Sequence, residues 1–453
     1  MAPRIRIRAL LAGALVATLA AGTAACGGDD RQDTGGPVTL RYGLWDSNQQ
    51  PVYQQCANAF EKQNPDIRIS IQLNNWNDYW GGLARGFIGE TAPDVFTDHL
   101  AKYPQFAQSE VIEPLNRYIE RDGFDVDQYQ PGLAELWVTP DGRRYGLPKD
   151  WDTVAIVSNQ TKLREAGITN EQLDNATWNP DDGGTFEDIV ARLSVDKNGK
   201  RGDEPGFDPL NVATYGLGLD PGGLTYGQTT WGGFARSLGF ELLDKNPWGT
   251  KYHYDDPRFI KTIAWWRHMI EQGYMPPLAE SRSLGQAAMF QGGNVALSID
   301  GDWMIPTYSA TEDFEVHYHA QPAGPEGSWS MYNGLADAIW VGTPYKEQAW
   351  QWVKFLASPE CQNIVGSKAV VFPAIPEATR RSVATHRKNG VDVSAFTSYL
   401  ENDRTFLYPI TDKAPQINLI VQPTMEKILI GSESPEALKD MNSQVNNLLE
   451  FSD

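Results

Sequence analysis

The chain has 453 residues, of which 41% are hydrophobic, and its formal net charge is −20. An acidic surface repels the phosphates of nucleic acids and anionic lipid headgroups, so neither is an expected partner. A single hydrophobic core rarely serves a chain of this length, which therefore predicts two domains.

The first 25 residues have the pattern of a secretory signal peptide. Arg4, Arg6 and Arg8 precede the apolar run ALLAGALVATLAAG, and small residues then lead to Cys26. A basic start, a short apolar stretch and a small-residue junction are typical of a segment that is removed on export. Residues 1–25 are therefore predicted to be absent from the mature protein.

The junction TAAC resembles a bacterial lipobox, in which the cysteine is lipidated and becomes the new N-terminus. Thr23 departs from the aliphatic residue that is more usual there, and an ordinary signal peptide with a chance cysteine is the alternative. Acyl chains on Cys26 would hold the protein at the membrane surface. Residues 26–37, which are rich in Gly and Asp, predict a flexible tether.

The chain after the tether alternates between strand and helix patterns. PVTLRYGLW, DIRISIQLNN and APDVFTDH predict three strands, with amphipathic helical patterns between them. This order is typical of an α/β fold with a parallel sheet, in which ligands bind at the carboxyl ends of the strands. The residues that fall at those ends are Trp45, Asp46, Asn48, Asp98 and His99.

The stretch YGLPKDWDTVAIVSN places Trp151 between Asp150 and Asp152, directly before an apolar strand. One interpretation is a half-exposed core tryptophan at the start of the strand. The other is a ligand site, because a flat apolar ring beside hydrogen-bond acceptors suits a sugar, which has an apolar face and a rim of hydroxyls.

Cys56 and Cys361 are the cysteines that remain after Cys26. Two cysteines this far apart do not form a recognisable disulfide framework, so their pairing stays open. Cys56 shares a helical face with Tyr53 and Phe60, which favours a buried free thiol.

The sequence gives little support for catalysis, and the chain is not predicted to be an enzyme. The sequence contains no HExxH, GxSxG or CxxC motif. His317 and His319 alternate along one strand, which indicates a solvated strand face rather than a metal site. GLGLDPGG lacks the strand-then-helix setting of a nucleotide-binding loop and is interpreted as a turn.

Seven segments in order resemble the sugar-binding branch of the extracellular solute-binding proteins of bacterial ABC importers. They are TAAC, the opening strand and helix, GETAPDVF, EVIEPLNRYI, YGLPKDWDTVAIVSN, GQAAMFQGGNVALSIDGDW and KEQAWQWVKFLASPECQ. The resemblance implies two α/β lobes with a ligand cleft between them. It places lobe 1 at 38–150 plus 304–356 and lobe 2 at 151–303 plus 357–453, with crossings at PKDWDT, IDGDWMIP and FLASPE.

The resemblance and the chemistry together give a set of candidate sugar-binding residues. Packing in the core is the alternative for any single tryptophan, above all for Trp76 and Trp231. The regular segments assign Trp265, Trp266, Trp340, Trp350 and Trp352 to packing, and Asp150 receives a lesser role. The candidates are Trp45, Asp46, Asn48, Trp76, Asp98, Trp151, Asp152, Trp231, Asp302, Trp303 and Asn333.

DKNGKRGDE, residues 196–204, resembles a calcium loop found in some polysaccharide-binding members of this family. Its oxygen ligands would be Asp196, Asn198, Asp203 and Glu204. Lys200 can offer only its carbonyl, and a polar turn after a helix is the plainer interpretation. No cofactor is expected apart from this calcium ion.

The predicted function is capture of a sugar, an oligosaccharide in particular, and its delivery to an ABC permease by hinge closure. The protein is expected to be a monomer, lipid-anchored on the outer face of the cytoplasmic membrane. The alternatives are a secreted glycoside hydrolase and a metal- or peptide-binding receptor. Replacement of Trp151 is expected to weaken sugar binding with little effect on folding.

Cys26→Ser should release the protein from the membrane, because serine cannot carry the thioether-linked lipid that holds the chain there. Fractionation of cells that express each form checks this: the wild type should sediment with membranes and the variant should be soluble. Continued membrane association of the variant would contradict the lipid anchor.

Overall fold

The computed structural model describes residues 36–450, so the predicted signal peptide and Cys26 lie outside the described residues. Residues 37–453 form one unit, and the features below belong to its described part. Between residues 36 and 450, no helix is both long and apolar enough to cross a membrane.

Thirteen strands lie in the described chain and form four sheets. The strands are β1 (Val38–Leu44), β2 (Ile67–Leu73), β3 (Val95–His99), β4 (Asp150–Trp151), β5 (Val154–Asn159), β6 (Val195–Asp196), β7 (Val212–Leu217), β8 (Val295–Gly301), β9 (Val316–His319), β10 (Ser330–Tyr332), β11 (Leu335–Ile339), β12 (Phe372–Pro373) and β13 (Thr405–Leu407).

Eighteen α-helices lie between and after these strands. They are α1 (Gln50–Gln63), α2 (Trp76–Ile88), α3 (Tyr103–Gln108), α4 (Asn116–Asp122), α5 (Gln160–Ala166), α6 (Asn170–Asp174), α7 (Gly184–Leu193), α8 (Gly232–Arg236), α9 (Pro257–Glu271), α10 (Leu278–Leu284), α11 (Gln286–Gln291), α12 (Ile305–Ser309), α13 (Lys346–Leu356), α14 (Pro359–Lys368), α15 (Pro376–Lys388), α16 (Ser394–Glu401), α17 (Ala414–Leu429) and α18 (Ala437–Glu450).

The first large sheet has the strand order β11-β3-β1-β2. Strand β1 pairs in parallel with both β2 and β3, and β11 joins the edge of β3 antiparallel. The predicted β-α-β-α-β unit is therefore confirmed. Because β1 and β3 are parallel, their carboxyl ends bring Trp45 and His99 to the same edge of the sheet.

The second large sheet has the order β6-β7-β8-β5-β9. Strand β8 pairs in parallel with β7 and antiparallel with β5, and β9 lies on the other edge of β5. The expected division of the chain places residues 316–319 in lobe 1, whereas strand β9 lies in this second sheet. The expected lobe boundaries otherwise stay a prediction.

Each large sheet carries its own hydrophobic core. The first core includes Trp350 and Trp352 of α13 beside the first sheet, and the second includes Trp265 and Trp266 of α9. All four tryptophans are buried, as is Trp340, which confirms their assignment to packing. A third, smaller cluster lies against the second sheet as well, and the division into two domains stays a prediction.

The chain between the two sheets runs through residues 148–152. On one side it pairs antiparallel with residues 333–336, and on the other side β4 pairs with β12. Asp302 lies alongside, where its backbone N–H donates to Thr153 O. The crossings expected at PKDWDT and IDGDWMIP are thus neighbours in space.

The third expected crossing, FLASPE, lies elsewhere. It joins α13 to α14, and its residues Phe355, Leu356 and Ala357 are buried in the first core. Helix α13 packs against β11, and α14 packs against α1. The segments that flank residues 148–152 are instead 333–336 and 372–373, which do not stand out in the sequence from other short strands.

Lys149 anchors this crossing to the first sheet. Its buried ammonium donates to Tyr42 OH at 2.8 Å, Thr97 Oγ1 at 3.0 Å and Asp337 Oδ1 at 3.3 Å. It also lies 3.9 Å from the centre of the Tyr53 ring. One side chain thereby ties the crossing to β1, β3 and β11 together, and a buried ammonium of this kind needs all of these partners.

Cys56 of α1 and Cys361 of α14 form a disulfide bond. The prediction of a buried free thiol at Cys56 is therefore wrong, although its position on the buried face of α1 is as expected. The helical pattern shows which face of α1 is buried, but it does not show that α14 packs on that face. The bond is consistent with an oxidising, extracytoplasmic compartment.

Replacement of both cysteines by serine should lower the free energy of unfolding by about 2–5 kcal/mol, because the bond restricts the unfolded chain. The measurement is the denaturant midpoint of the wild type and the Cys56→Ser/Cys361→Ser variant, with reduced wild type as the control. The reduced wild type should unfold close to the variant. Equal midpoints for oxidised wild type and variant would contradict a stabilising bond.

Candidate functional site

A cavity of about 770 Å³ opens at the carboxyl end of the first sheet and is also lined by the crossing segment and the second sheet's loops. The crossing contributes Asp150, Trp151 and Asp152. The second sheet contributes a loop after β7, residues 220–229, and helix α17 closes the same wall with Asn418 and Gln422. The volume lies in the range of small-ligand sites in proteins.

One wall of the cavity is aromatic. Trp45 follows β1, and its ring lies 5.2 Å from that of Trp76 and 5.3 Å from that of Trp80. Trp76 in turn lies 5.7 Å from the ring of His99 at the end of β3. The Trp76 side chain is 44% exposed, so its ring offers a free apolar surface at the cavity.

Trp76 is held in place by the start of its helix. It is the first residue of α2, and the preceding Asn75 caps the helix by accepting from the Asp78 backbone N–H at 3.1 Å. Such a cap stabilises a helix end by about 1 kcal/mol. The sequence left core packing open for Trp76, and the exposed ring shows that Trp76 is instead a surface residue of the cavity.

The opposite wall is polar and comes from the loop at residues 220–229. Asp220 shapes this loop by accepting from the Gly222 backbone N–H and from the Thr229 hydroxyl. Thr225 donates to Asn418 of α17, which fixes the loop against the helix. The wall therefore presents fixed carboxylate, amide and hydroxyl groups to the cavity.

The sequence does not predict this wall, since the pattern GLGLDPGG indicates only a turn. The first two residues of the segment end strand β7, which pairs in parallel with β8, and the turn follows Leu217. The rule that ligands lie beyond the carboxyl ends of parallel strands therefore applies to Asp220 as it does to Asp46. The strand was hard to recognise because Gly216 interrupts its apolar pattern.

The cavity floor is a network of hydrogen-bonded side chains around Asp152. Gln228 donates to Asp152 Oδ1 at 2.7 Å, and Asn333 donates to Asp152 Oδ2 at 3.1 Å. Asn333 also lies 3.1 Å from His99 Nε2. Burial and the nearby carboxylates Asp302 and Asp150 raise the pKa of Asp152 well above its ordinary value.

Trp151 lines the cavity but is almost fully buried, with 1% of its surface exposed. Its ring stacks on Phe372 with a centroid distance of 4.9 Å, and its indole N–H donates to Thr379 Oγ1 at 3.2 Å. Replacement of Trp151 therefore removes core packing in addition to any contact with a ligand. The expectation that its loss leaves folding intact does not agree with this burial.

The structure brings seven of the eleven candidate residues to the cavity. Trp45, Trp76 and Trp303 are partly exposed there, whereas Trp151 supports the floor from behind. The seven lining residues are Trp45, Asp46, Trp76, Trp151, Asp152, Trp303 and Asn333. Their contact with a ligand stays a prediction.

The other four candidates do not line the cavity. Trp231 is buried in the second core, where its ring packs 4.7 Å from that of Phe259. Asn48 donates its amide to Thr307 Oγ1, which occupies it within the protein. Asp98 and Asp302 are both buried behind the lining residues, and each accepts a backbone N–H.

The calcium interpretation of residues 196–204 does not fit the contacts. Asp196 Oδ1 accepts from the backbone N–H groups of Asn198 and Lys200, and its Oδ2 accepts from Asp208 N. Asp203 pairs with Arg192, and Glu204 accepts from Arg201 N. Among residues 36–450 no group of carboxylates, histidines or cysteines is arranged to hold a metal ion. The segment is a turn that Asp196 closes.

The two histidines of β9 differ in their surroundings. His317 is partly exposed and pairs with Glu315. His319 is buried, and its ring lies 2.9 Å from Ser158 Oγ and 2.6 Å from Asp174 Oδ1. The prediction of a solvated face thus holds for His317 and is wrong for His319, because α6 packs over β9.

These features define a two-lobed α/β binding protein with a ligand cavity at the carboxyl ends of its parallel strands. The chain belongs to the bacterial extracellular solute-binding proteins, whose family model matches residues 55–389. The prediction of a bacterial extracellular solute-binding protein is confirmed, and so is the predicted periplasmic-binding-protein-like fold. Membership places the protein outside the cytoplasm.

Individual relatives are distant but cover almost the whole chain. A putative binding protein of Brucella abortus is 23% identical over 426 residues, which are 91% of this chain and 93% of the relative. Among solved structures, Lmo0181 of Listeria monocytogenes in complex with cycloalternan has a TM-score of 0.77 at 20% identity, covering 92% of this chain and all of that one.

A second solved structure is the GacH receptor of Streptomyces glaucescens, studied unliganded and in complex with acarbose. Its TM-score is 0.73 at 19% identity, with coverage of 92% of this chain and all of that chain. At these identities the structural likeness shows a shared fold. Which solute this chain binds has to be argued from its own cavity.

Trp151→Ala should lower the free energy of unfolding by about 3–5 kcal/mol, because it leaves a void beside Phe372 and an unpaired Thr379 hydroxyl. Chemical denaturation measures this, and Trp76→Ala is the matched control. The control should lose clearly less stability, since 44% of Trp76 is exposed to solvent. An unchanged midpoint for Trp151→Ala would show that Trp151 does not support the core.

Proposed function

We propose that this protein captures a sugar, an oligosaccharide in particular, and delivers it to the permease of an ABC importer. The observation that carries the proposal is the pair of unlike walls of one cavity. Trp45 and Trp76 offer apolar faces on one side, and the loop at residues 220–229 offers fixed acceptors and donors on the other. Sugar rings have both kinds of surface.

The size of the cavity supports a ligand of more than one ring. Its volume of about 770 Å³ is near the upper part of the range for small-molecule sites. Relatives with the same fold were solved with cycloalternan, with acarbose and with mannotriose. These are properties of those proteins, and they agree with the interpretation of the cavity in this one.

Closure of the lobes about the crossing at residues 148–152 is the proposed mechanism. The aromatic wall belongs to the first sheet and the polar wall to the second, so a ligand that contacts both walls stabilises the closed form. The permease then recognises that form. The proposed lobes follow the two sheets, with β9 in the second.

Membrane anchoring through Cys26 and a monomeric state are part of the proposal. The TAAC junction supports the anchor, which would keep the protein close to its permease. Capture is favoured over the glycoside hydrolase alternative because the family consists of binding proteins. Incubation with the bound sugar should release no new reducing ends, and their appearance would favour the hydrolase.

A thermal-shift screen of neutral mono- to tetrasaccharides should identify ligands, because a ligand that binds the folded state raises the melting temperature by mass action. Calorimetry on the best ligand should then show that Trp76→Ala lowers affinity by about tenfold or more, which corresponds to about 1.4 kcal/mol. The reason is the loss of an exposed aromatic face.

Trp329→Ala is the matched control for that experiment. Trp329 is also partly exposed, but it lies between Arg236 and Arg404 and does not line the cavity. The control variant should bind as the wild type does. Equal affinities for wild type and Trp76→Ala would exclude the aromatic wall as the sugar-binding surface.

A further inference from the structure

A loop that is rooted in the second core extends to the first core. It runs from Leu243 to Tyr252, which pair antiparallel and are both buried in the second core. Asp244 closes the base of the loop by accepting from the backbone N–H groups of Thr250 and Lys251. The loop at residues 243–252 therefore begins and ends in the second lobe.

The tip of this loop is Trp248, whose ring packs against the first core and not against the second. Its indole N–H donates to the backbone carbonyl of Val138 at 3.0 Å. Its ring centre lies 6.0 Å from that of Tyr103, in an edge-to-face arrangement. Both partners precede the crossing at residues 148–152, so Trp248 joins the two cores at a place apart from that crossing.

The surface that receives Trp248 is held in place by the first core itself. Tyr103 is fully buried, its hydroxyl donates to Leu136 O at 2.6 Å, and its ring lies 4.9 Å from that of Trp137. Val138 directly follows these two residues in the chain. Because the receiving groups are already ordered, docking of Trp248 costs little conformational entropy on their side.

The backbone of the loop is shaped to present Trp248. Its φ is +63°, in the left-handed region that a bulky residue rarely adopts, and its backbone N–H donates to Ile410 O at 2.7 Å. The next residue is Gly249, where a Cβ would lie 2.4 Å from the Lys245 carbonyl oxygen. A strained conformation of this kind persists only where the surrounding contacts determine it, and the contacts of the indole with the first core belong to that set.

The loop is also tied to the wall of the cavity. The Asn246 amide donates to the carbonyls of Leu407 and Tyr408, both at 3.0 Å. Tyr408 lines the cavity, and its ring lies 5.0 Å from that of His99 at the end of β3. Trp248 itself does not line the cavity, so its effect on a ligand has to come through the position of the lobes.

We propose that Trp248 is a latch between the two lobes, which separate only when its indole leaves Tyr103 and Val138. The inference rests on the proposed function and adds a positioning residue to it. Loss of the latch shifts the equilibrium from the closed towards the open form. A ligand that needs both walls of the cavity binds more weakly when the closed form is less populated.

Distances between spin labels in the ligand-free protein test the latch without any sugar. Leu73→Cys and Leu284→Cys provide one exposed label in each lobe, at the carboxyl end of β2 and beside the cavity-lining loop after α10. A Cys26→Ser background keeps the label from that position, and the two other cysteines are bonded to each other. Pulsed electron paramagnetic resonance then gives the share of molecules at each distance.

Trp248→Ala should raise the ratio of open to closed molecules by about fivefold or more. Trp248→Phe should raise it less, because it keeps a ring on Tyr103 and loses only the bond to Val138. Trp329→Ala is the matched control: its indole N–H also donates to a backbone carbonyl, that of Glu326, but this carbonyl is three residues away in the chain. Its loss breaks no hydrogen bond between the two cores and should leave the distances unchanged.

Binding is measured with maltotriose, cellotriose and mannotriose, by calorimetry for affinity and by stopped-flow fluorescence for dissociation. For a trisaccharide that binds, Trp248→Ala should lower the affinity and speed dissociation by about fivefold or more in combination. Trp329→Ala should change neither quantity. A variant that only lost stability would keep the affinity and the dissociation rate of the wild type in its folded fraction.

The outcomes separate this inference from the function on which it rests. If both Trp248 variants keep the distances of the wild type, Trp248 does not hold the lobes together, and the inference fails while sugar capture stands. It also fails if the distances lengthen but a bound trisaccharide keeps its affinity. If the distances lengthen and no mono- to tetrasaccharide binds, the lobes are latched as inferred and the proposed function fails.

Discussion

The buried ammonium of Lys149 is the interaction on which the rest of the site depends. It joins side chains from three strands of the first sheet, Tyr42, Thr97 and Asp337, at the point where the chain leaves that sheet. An ammonium removed from water is stable only with such a full set of partners. The position of the crossing relative to the first sheet is thereby fixed.

Because Lys149 is held in place, the directions of the side chains that follow it are also set. The alternation of side chains along an extended segment sends Asp150 and Asp152 away from the ammonium and towards the cavity, while Trp151 turns back onto Phe372. The crossing therefore has a cationic side inside the first lobe and an acidic side at the cavity. Burial raises the pKa of Asp150 to about 7, although the charge of the neighbouring Lys149 acts to lower it.

Sequence reasoning located the site wherever a regular pattern fixed the direction of the chain. Trp45 and Asp46 follow a strand whose parallel neighbours were recognisable, so their place at the cavity could be predicted. The position of the polar wall around Asp220 could not be predicted, because Gly216 in β7 obscures the strand that positions it. The pairing of Cys56 with Cys361 depended on the packing of α14 on α1, which no local pattern expresses.

The positions of Trp76 and Trp151 show a second limit of prediction from the sequence, which concerns the exposure of side chains. Both tryptophans stand beside polar residues in the sequence, and local chemistry favoured Trp151 as the ligand-binding ring. What decides exposure is the layer behind each ring: β12 and Tyr332 cover Trp151, whereas nothing described covers the outer face of Trp76. Both covering segments come from residues far along the chain.

The burial of Trp151 gives it a different part in the chemistry of the cavity. Trp151 lies between Asp150 and Asp152 in the chain, and all three residues are buried. Carboxylates in such surroundings interact more strongly with whatever charge or hydrogen-bond donor reaches their open side. We therefore propose that Trp151 acts on ligand binding through the acids that flank it, and that the more exposed Trp45 and Trp76 provide the apolar contact that local sequence assigns to Trp151.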